Sequence, residues 1–339
     1  MKSFHADRHV LPLPPGHRFP ASKYRRLRGV VEGWIELEVA EAEPASDTDL
    51  ALAHIADYVR AVASNGLTAA EQRAIGFPWS EAMVERSRCS VGATIATARS
   101  ALVEGIAANL AGGTHHASAG RGSGYCVFND VAVATRLIQA EARRATGMDA
   151  PSLRIAVIDL DVHQGDGTAS IFAGDASVFT LSLHGAKNFP FRKAASDLDV
   201  ALPDGCGDAD YLAALATALD VLWREHEASP FGLAFYLAGA DPHEGDRLGR
   251  LKLSAAGLLE RDRKVFAALF ERRIPVALSM AGGYGRDLDV TVAIHAATIG
   301  AAIDSWRQWN RRPPGRAECA DAHSRGSERS ERGGDNVAR

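Results

Sequence analysis

Short apolar runs alternate with amphipathic stretches through most of this chain. The apolar runs have the length of strands and lie at 155–158, 178–184, 235–241 and 274–280. The stretches between and after them have the apolar spacing of helices and lie at 129–143, 211–223, 258–270 and 290–306. Strands that alternate with helices form a largely parallel sheet with helices packed on its faces. The chain is therefore predicted to be an α/β protein with a central, mainly parallel sheet.

The first part of the chain is predicted to be mostly helical. Apolar residues have helical spacing at 50–63, and the stretch 91–110 is rich in Ala, Leu and Ile. The second stretch is expected to be one buried helix, which the glycine pair at 112–113 ends. The basic run at 23–28 is expected to open another helix, and the segment 190–207 is expected to be irregular.

The C-terminal segment differs in composition from the rest of the chain. From about residue 311 it consists mainly of Pro, Gly, Ser, Arg and Glu, with almost no aliphatic side chains. Such a segment has too little apolar surface to bury in a core. One domain is therefore predicted at 1–310, followed by a disordered polar tail at 311–339.

Charge and cysteine content limit the class of function. The net charge of -4 gives no electrostatic reason to bind nucleic acid or an anionic membrane. The four cysteines include no Cys-x-x-Cys pair, which favours a reducing compartment over a disulfide framework or a zinc finger. No apolar signal segment or transmembrane span is evident. We expect a cytoplasmic protein, and the oligomeric state stays open.

The apolar run at 155–158 leads into a cluster of polar residues. Asp159, Asp161 and His163 follow at alternate positions, and the side chains of a strand alternate between its faces, so these three are expected to point to one side. Two carboxylates and an imidazole are costly to bury unless a cation neutralises them. Another run ends at Asp241, and the carboxyl ends of parallel strands meet at one edge of the sheet. These residues predict a metal site with the open position that a catalytic zinc requires.

Two further segments carry groups that can move protons or stabilise charge. His115 and His116 are adjacent in a glycine-rich loop, and an imidazole acts as an acid or a base near neutral pH. Tyr284 follows two glycines after the run at 274–280, where its phenol could stabilise an oxyanion. Packing explains adjacent histidines in such a loop poorly, but the pair alone is weak evidence, and Tyr284 alone is better explained as an ordinary tyrosine at a strand end. Together with the metal site they predict a hydrolase that activates water.

Five motifs follow one another along the chain. They are Gly112-Gly-x-His-His116, Gly124-Tyr-Cys-x-x-Asn-Asp130, Asp159-Leu-Asp-Val-His-Gln-Gly-Asp-Gly167, Gly239-Ala-Asp241 and Ala281-Gly-Gly-Tyr284. The zinc-dependent histone deacetylases have these motifs in the same order, and the chain resembles that family from its Pro-rich N-terminal segment to about Trp306. The Val-His-Gln version, with Gly16-His-Arg-Phe-Pro-x-Ser-Lys-Tyr24 near the start, is most similar to the class IV branch and its bacterial relatives.

The resemblance implies a single-domain fold of the arginase/deacetylase type and a chemical role for each motif. It makes the zinc ligands Asp161, His163 and Asp241. It makes His115 and His116 the acid–base pair, with Asp159 and Asp166 as their respective carboxylate partners, and it leaves the division of the two proton roles open. Tyr284 would polarise the scissile carbonyl.

The resemblance also implies a substrate tunnel and a second cation. The wall of an acyl-lysine tunnel would include Gly124, Tyr125, Phe189 and Leu248. A structural monovalent cation, with K⁺ as the candidate, would be bound by Asp159, Asp161, His163, Ser182 and Leu183.

The implied activity is removal of an acetyl or longer acyl group from the Nε atom of a lysine in a peptide or protein. Three alternatives stay open: an amidohydrolase of acetylpolyamines or other small N-acyl amides, a binuclear manganese ureohydrolase of the same fold, and a non-enzymatic acyl-lysine reader. A binuclear site needs further bridging carboxylates, whereas Asp241 is followed by Pro-His-Glu, which favours one metal ion. A reader would need neither the histidine pair nor Tyr284.

Three residues depart from the family pattern. Tyr125 stands where Phe is usual, Gln164 where class I enzymes commonly have His, and Ala281 where a Gly precedes the turn. None of these changes removes a reacting group, and Ala281 is expected to stiffen the turn.

The glycine-rich segment 120–124 beside Leu248 could leave space for an acyl tail. Turnover that rises with acyl chain length is therefore a further hypothesis.

Overall fold

An eight-stranded sheet forms the centre of the structure. The computed structural model describes residues 1–147 and 152–311 of the chain. Its strands are β1 (Lys2–His5), β2 (Glu38–Glu41), β3 (Ile106–Asn109), β4 (Ile155–Asp159), β5 (Val178–Gly185), β6 (Leu198–Leu202), β7 (Leu233–Leu237) and β8 (Val276–Ser279). Their order across the sheet is β2-β1-β3-β8-β7-β4-β5-β6, and each neighbouring pair is parallel. The predicted α/β fold with a central parallel sheet is confirmed.

Helices connect the strands and cover both faces of the sheet. They are α1 (Ser22–Val31), α2 (Asp47–Leu50), α3 (Ala56–Ala63), α4 (Ala69–Ile75), α5 (Glu81–Glu104), α6 (Asp130–Thr146), α7 (Asp166–Phe172), α8 (Asp208–Ala228), α9 (Ala255–Glu271) and α10 (Leu288–Asn310). Successive side chains of a strand point to opposite faces. Ala156 and Ile158 of β4 therefore join one buried apolar cluster, while Ile155 and Val157 join another. Because both faces are buried, the central strands are continuously apolar.

The prediction of one helix over 91–110 is wrong after residue 104. α5 ends at Glu104, Gly105 caps it with a φ of +86°, and the next four residues form β3 between β1 and β8. An Ala-rich run favours a helix locally by less than about 1 kcal/mol per residue. Pairing with two strands from distant parts of the chain decides the conformation of this run instead.

Other bounds also differ from the prediction. Of the helix expected at 50–63, the structure has only α3 at Ala56–Ala63, and Leu50 is the last residue of α2. The segment 190–207, expected to be irregular, contains β6 at one edge of the sheet, and the unpredicted strands β1 and β2 lie at the other end. The basic run at 23–28 lies within α1, as predicted. The missed strands are four or five residues long and carry polar residues, so no apolar run marks them.

α10 is long and apolar enough to cross a membrane, which the expectation of no transmembrane span overlooked. In its most apolar stretch, 61% of the residues are buried inside the fold, and the helix packs against α1 and α9. A core helix passes the same test of length and composition, so α10 is weak evidence for a membrane segment. The predicted tail falls, from residue 312 onwards, outside the described part of the chain and stays a prediction.

Candidate active site

Asp161, His163 and Asp241 meet beyond the carboxyl ends of β4 and β7. One ligand atom from each side chain lies within 4.8 Å of the other two, and all three residues are buried. β4 ends at Asp159, so Asp161 and His163 lie on the turn that follows and not on the strand. The predicted alternation along a strand is therefore wrong at these two positions. The turn nevertheless brings His163 Nδ1 to 2.9 Å from Asp161 Oδ1.

Backbone amides hold the two carboxylates in place. The Val162 amide donates to Asp241 Oδ1 at 2.9 Å, and the Gly282 amide donates to Asp161 Oδ2 at 2.7 Å. A Cβ atom at Gly282 would collide with Asp241 Oδ2, so this position requires a glycine. The Gly-Gly segment before Tyr284 is thus part of the wall of the cluster.

The cluster brings two carboxylates and one imidazole together in a buried place. Burial and the nearby Asp161 raise the pKa of Asp241 to about 7. Burial lowers the pKa of His163, but the close carboxylates of Asp161 and Asp241 outweigh this and raise the pKa to about 10. Asp241 Oδ2 lies 3.2 Å from His163 Nδ1 yet has no hydrogen-bond partner among the described residues. These residues fit a divalent cation, whose charge would replace that of the imidazolium proton.

His115 and His116 each pair with a separate carboxylate. His115 Nδ1 lies 2.6 Å from Asp159 Oδ2, and His116 Nδ1 lies 2.6 Å from Asp166 Oδ1. The two imidazole centroids are 4.2 Å apart, and both histidines are buried. The structure therefore brings together the two imidazole–carboxylate dyads that the resemblance implies.

The two dyads border the metal cluster and differ in charge. His115 Nε2 is 3.9 Å from Asp161 Oδ1, and the His116 ring centroid is 5.8 Å from that of His163. Burial lowers the pKa of His115, but Asp159 and Asp161 outweigh it and raise the pKa to about 9. Burial and the neighbouring His115 lower the pKa of His116 to about 4. Near neutral pH, His116 therefore has an unprotonated nitrogen that can accept a proton.

The loop that carries the histidine pair is held by the start of α6. Asp130 Oδ2 accepts from the Gly113 amide at 3.0 Å, and Asp130 Oδ1 accepts from the amide and hydroxyl of Thr114 at 2.8 and 2.7 Å. Asn129, which caps α6, donates from its side chain to the Ala117 carbonyl at 3.0 Å. Both residues belong to a motif visible in the sequence, but their role in holding the loop was not predicted.

Tyr284 lies at the turn after β8, at the same carboxyl edge of the sheet as the metal cluster. Its ring centroid is 6.2 Å from that of His163, with the planes at 87°. Its amide donates to Asp246 Oδ2 at 2.6 Å, and Arg247 Nε donates to its carbonyl oxygen at 2.9 Å. Burial raises the pKa of the Tyr284 phenol well above its ordinary value, so the hydroxyl keeps its proton and remains a donor.

A cavity of about 510 Å³ opens onto these groups. Its walls include the four predicted tunnel residues, Gly124, Tyr125, Phe189 and Leu248, together with His116, His163 and Tyr284. The Phe189 and His116 rings are 4.9 Å apart at 83°, and a Cβ atom at Gly124 would lie 2.6 Å from His116 Cδ2. Arg73 also lines this cavity, and the described lining contains no Asp or Glu.

The residues implied for a structural cation lie beside the metal cluster. Ser182 on β5 is paired in register with Asp159 on β4, and Leu183 follows it. Both residues are buried, and the Ser182 hydroxyl is 2.9 Å from His184 Nδ1. Asp161 and His163, the other two members of the set, follow Asp159 on the adjacent turn. Binding of K⁺ by these residues stays a prediction.

Three residues that shape the site were not predicted. Arg261 on α9 is fully buried, and its Nη1 donates to the carbonyl oxygens of Gly239 at 2.7 Å and Leu160 at 3.3 Å. It thereby ties together the two strand ends that carry the metal cluster. Asp246 accepts from three backbone amides beside the tunnel, and Lys23 donates to the turn before Tyr284. Lys23 lies in the N-terminal motif, whereas no sequence pattern around Arg261 or Asp246 indicates their roles.

The fold and the arrangement of these strand ends define an α/β protein of the arginase/deacetylase type. A crystal structure of an HDAC homologue from Aquifex aeolicus matches it with a TM-score of 0.70 at 24% identity, covering 92% of this chain and 85% of that one. At this identity the likeness shows the shared fold.

The relatives and the family model identify the family. The chain is 44% identical over 304 residues to an uncharacterised protein of Picosynechococcus sp., which covers 89% of this chain and 97% of that protein. It is 33% identical over 282 residues to Histone deacetylase 2 of Arabidopsis thaliana, covering 79% and 70% of the two chains. The model of the histone deacetylase domain matches residues 17–299. The chain belongs to the histone deacetylase family.

Proposed function

We propose that this protein is a zinc-dependent amidohydrolase that removes an acyl group from the Nε atom of lysine. The observation that carries the proposal is the meeting of three kinds of group at one cavity: the Asp161–His163–Asp241 cluster, two imidazole–carboxylate dyads and a protonated tyrosine. Metal-assisted hydrolysis of an amide has a use for all three, whereas binding of an acyl-lysine needs only the cavity. The arrangement therefore favours an enzyme over a reader.

The cavity wall suits a lysine side chain. Phe189, Tyr125 and Leu248 contribute apolar surface against which the four methylene groups of lysine can pack. The described lining of the tunnel holds Arg73 and no carboxylate, so its walls offer no anionic partner for a polyamine. This favours an acyl-lysine over an acetylpolyamine. The described residues contain one group of three potential metal ligands, which also favours a single ion over a binuclear manganese site.

The residues of the chain have distinct tasks in this proposal. Zinc, held by Asp161, His163 and Asp241, would polarise the scissile carbonyl and lower the pKa of water. His116, oriented by Asp166, accepts the proton of the attacking water at Nε2. Tyr284 donates its hydroxyl to the oxyanion.

The leaving amine needs a proton in the final step. His116 can return the proton that it accepted, and protonated His115 is a second donor beside it. The charge of His115, maintained by Asp159, also stabilises negative charge that develops at the carbonyl. The geometry supports both routes for the proton.

A substrate panel tests the proposal. Zinc-loaded protein is assayed with acetyl-lysine peptides, acetylspermidine, arginine and agmatine, and the His116→Ala variant serves as the inactive control. We expect turnover of the peptides, lost in the variant, and no urea from arginine or agmatine. Higher kcat/KM on acetylspermidine than on every peptide would support the polyamine alternative. Tight peptide binding without turnover would support a reader.

A further inference from the structure

A second cavity lies beside the active site. The inner cavity that surrounds the reacting groups has a free volume of about 30 Å³. The neighbouring cavity has a free volume of about 250 Å³, and its walls include the apolar residues Val10, Leu11 and Ala21. Tyr24 and Arg86 line both cavities. Where the two spaces adjoin, these two side chains therefore separate them.

Stacking holds the two side chains together. The Arg86 guanidinium lies 4.8 Å from the centroid of the Tyr24 ring and 5.6 Å from that of Phe19. Arg86 is partly buried, and its guanidinium lies against both aromatic rings. A planar guanidinium packs well on aromatic faces. We call this pair, Tyr24 and Arg86, the Tyr24–Arg86 barrier.

The position of the barrier determines which part of the substrate meets it. In the proposed reaction the lysine side chain fills the tunnel and the scissile carbonyl lies at the metal cluster, so the acyl chain extends into the inner cavity. A free volume of 30 Å³ has room for about two water molecules. That space suits the methyl group of an acetyl and is too small for a long chain.

We infer that the Tyr24–Arg86 barrier sets the upper limit on acyl chain length, and that removing the Arg86 side chain joins the inner cavity to the apolar cavity behind it. The inference rests on the proposed deacylase function and opposes the hypothesis that turnover by the unaltered protein rises with chain length. It assigns a specificity role to a residue on α5 that touches none of the reacting groups.

A chain-length series tests the inference. Peptides of one sequence carry acetyl-, butyryl-, hexanoyl- or octanoyl-lysine, and kcat/KM is measured for each. For the unaltered protein we expect kcat/KM to fall with length. In Arg86→Ala the octanoyl-to-acetyl ratio should rise at least tenfold, because each newly buried methylene can contribute up to about fourfold in binding.

Two further variants test whether the size of the Arg86 side chain, its charge or its position limits the acyl chain length. Arg86→Met keeps a long unbranched side chain without the charge, so the barrier stays filled and the profile of the unaltered protein is expected. Arg25→Ala shortens an arginine that lines the apolar cavity but not the inner one, and the profile should again be unchanged. A rise in Arg25→Ala equal to that in Arg86→Ala would overturn the inference.

Binding separates failure of the inference from failure of the proposed function. Dissociation constants for acetyl- and octanoyl-lysine peptides are measured by calorimetry in Tyr284→Phe and in Tyr284→Phe/Arg86→Ala. In the double variant, the octanoyl peptide should bind at least tenfold more tightly than the acetyl peptide. In Tyr284→Phe it should not. The same ratio in both proteins would overturn the inference whatever the activity. Absence of turnover with every peptide, combined with the expected binding, would contradict only the proposed function.

Discussion

Lys23 Nζ donates to the Ala281 carbonyl oxygen at 2.9 Å, although 258 positions separate the two residues in sequence. It also donates to the Gly283 carbonyl at 3.4 Å and lies 5.6 Å from the centroid of the Tyr284 ring. Lys23 is 2% exposed, and Ala281 has a φ of +52°, in the left-handed region that non-glycine residues rarely adopt. The lysine therefore fixes α1 to a strained turn that carries the proposed oxyanion donor.

Replacing Lys23 by Met should loosen this turn. The substitution leaves two buried carbonyl oxygens without their donor, which should lower the free energy of unfolding by roughly 1–3 kcal/mol. Because Tyr284 is then held less firmly, kcat should fall more than KM changes. Arg26→Met on the same helix removes only an exposed ion pair with Asp289 and is the matched control. Equal effects of the two substitutions on unfolding and on kcat would contradict this role.

Each proposed metal ligand should be needed for zinc. Asp161→Ala, His163→Ala and Asp241→Ala should each lose bound zinc, because a three-ligand site without one ligand no longer holds its geometry. Elemental analysis of zinc-loaded, purified protein measures this, with circular dichroism as the test of folding. Glu244→Ala, at an exposed position after Asp241, is the control and should retain zinc. Full occupancy in a variant would remove that residue from the ligand set.

Removing the Tyr284 hydroxyl should affect the chemical step and not the metal. Tyr284→Phe keeps the ring but loses one donor to the oxyanion, so kcat should fall by roughly 100-fold or more. Zinc content and thermal stability should stay close to those of the unaltered protein. Steady-state kinetics and elemental analysis measure both. Near-normal turnover would show that Tyr284 has only a packing role.

His54 should make the stability depend on pH outside the active site. Its Nε2 accepts from the Asn129 amide at 2.9 Å, and burial lowers its pKa from 6.5 to about 4. Between these values the unfolded chain binds a proton that the folded protein excludes. The free energy of unfolding should therefore fall as the pH is lowered from about 6.5 to about 4, and level off below, with a loss of roughly 3 kcal/mol from this residue.

Comparison with a variant isolates this contribution. His54→Gln can keep an acceptor for the Asn129 amide but does not titrate, so its stability should change less with pH over the same window. Urea denaturation of both proteins at several pH values between 7.5 and 4 measures the difference. Identical slopes for the two proteins would show that His54 does not contribute.

The sequence by itself determined the central strands and the chemical groups of the site. β4, β5, β7 and β8 are buried on both faces, so each is a continuous apolar run that its length and composition identify. Asp161, His163 and Asp241 are recognisable because charged groups that follow such runs are costly to bury without a partner. The order of the five motifs then predicted the family.

Only the tertiary structure decided the remaining parts. β3 is an Ala-rich run whose conformation depends on pairing with β8, since such pairing outweighs helix propensities of less than about 1 kcal/mol per residue. Lys23, Arg261 and the stacking of Arg86 on Tyr24 act through contacts between residues that are distant in sequence. No local pattern encodes such contacts, because they form only when the folded chain brings these side chains together.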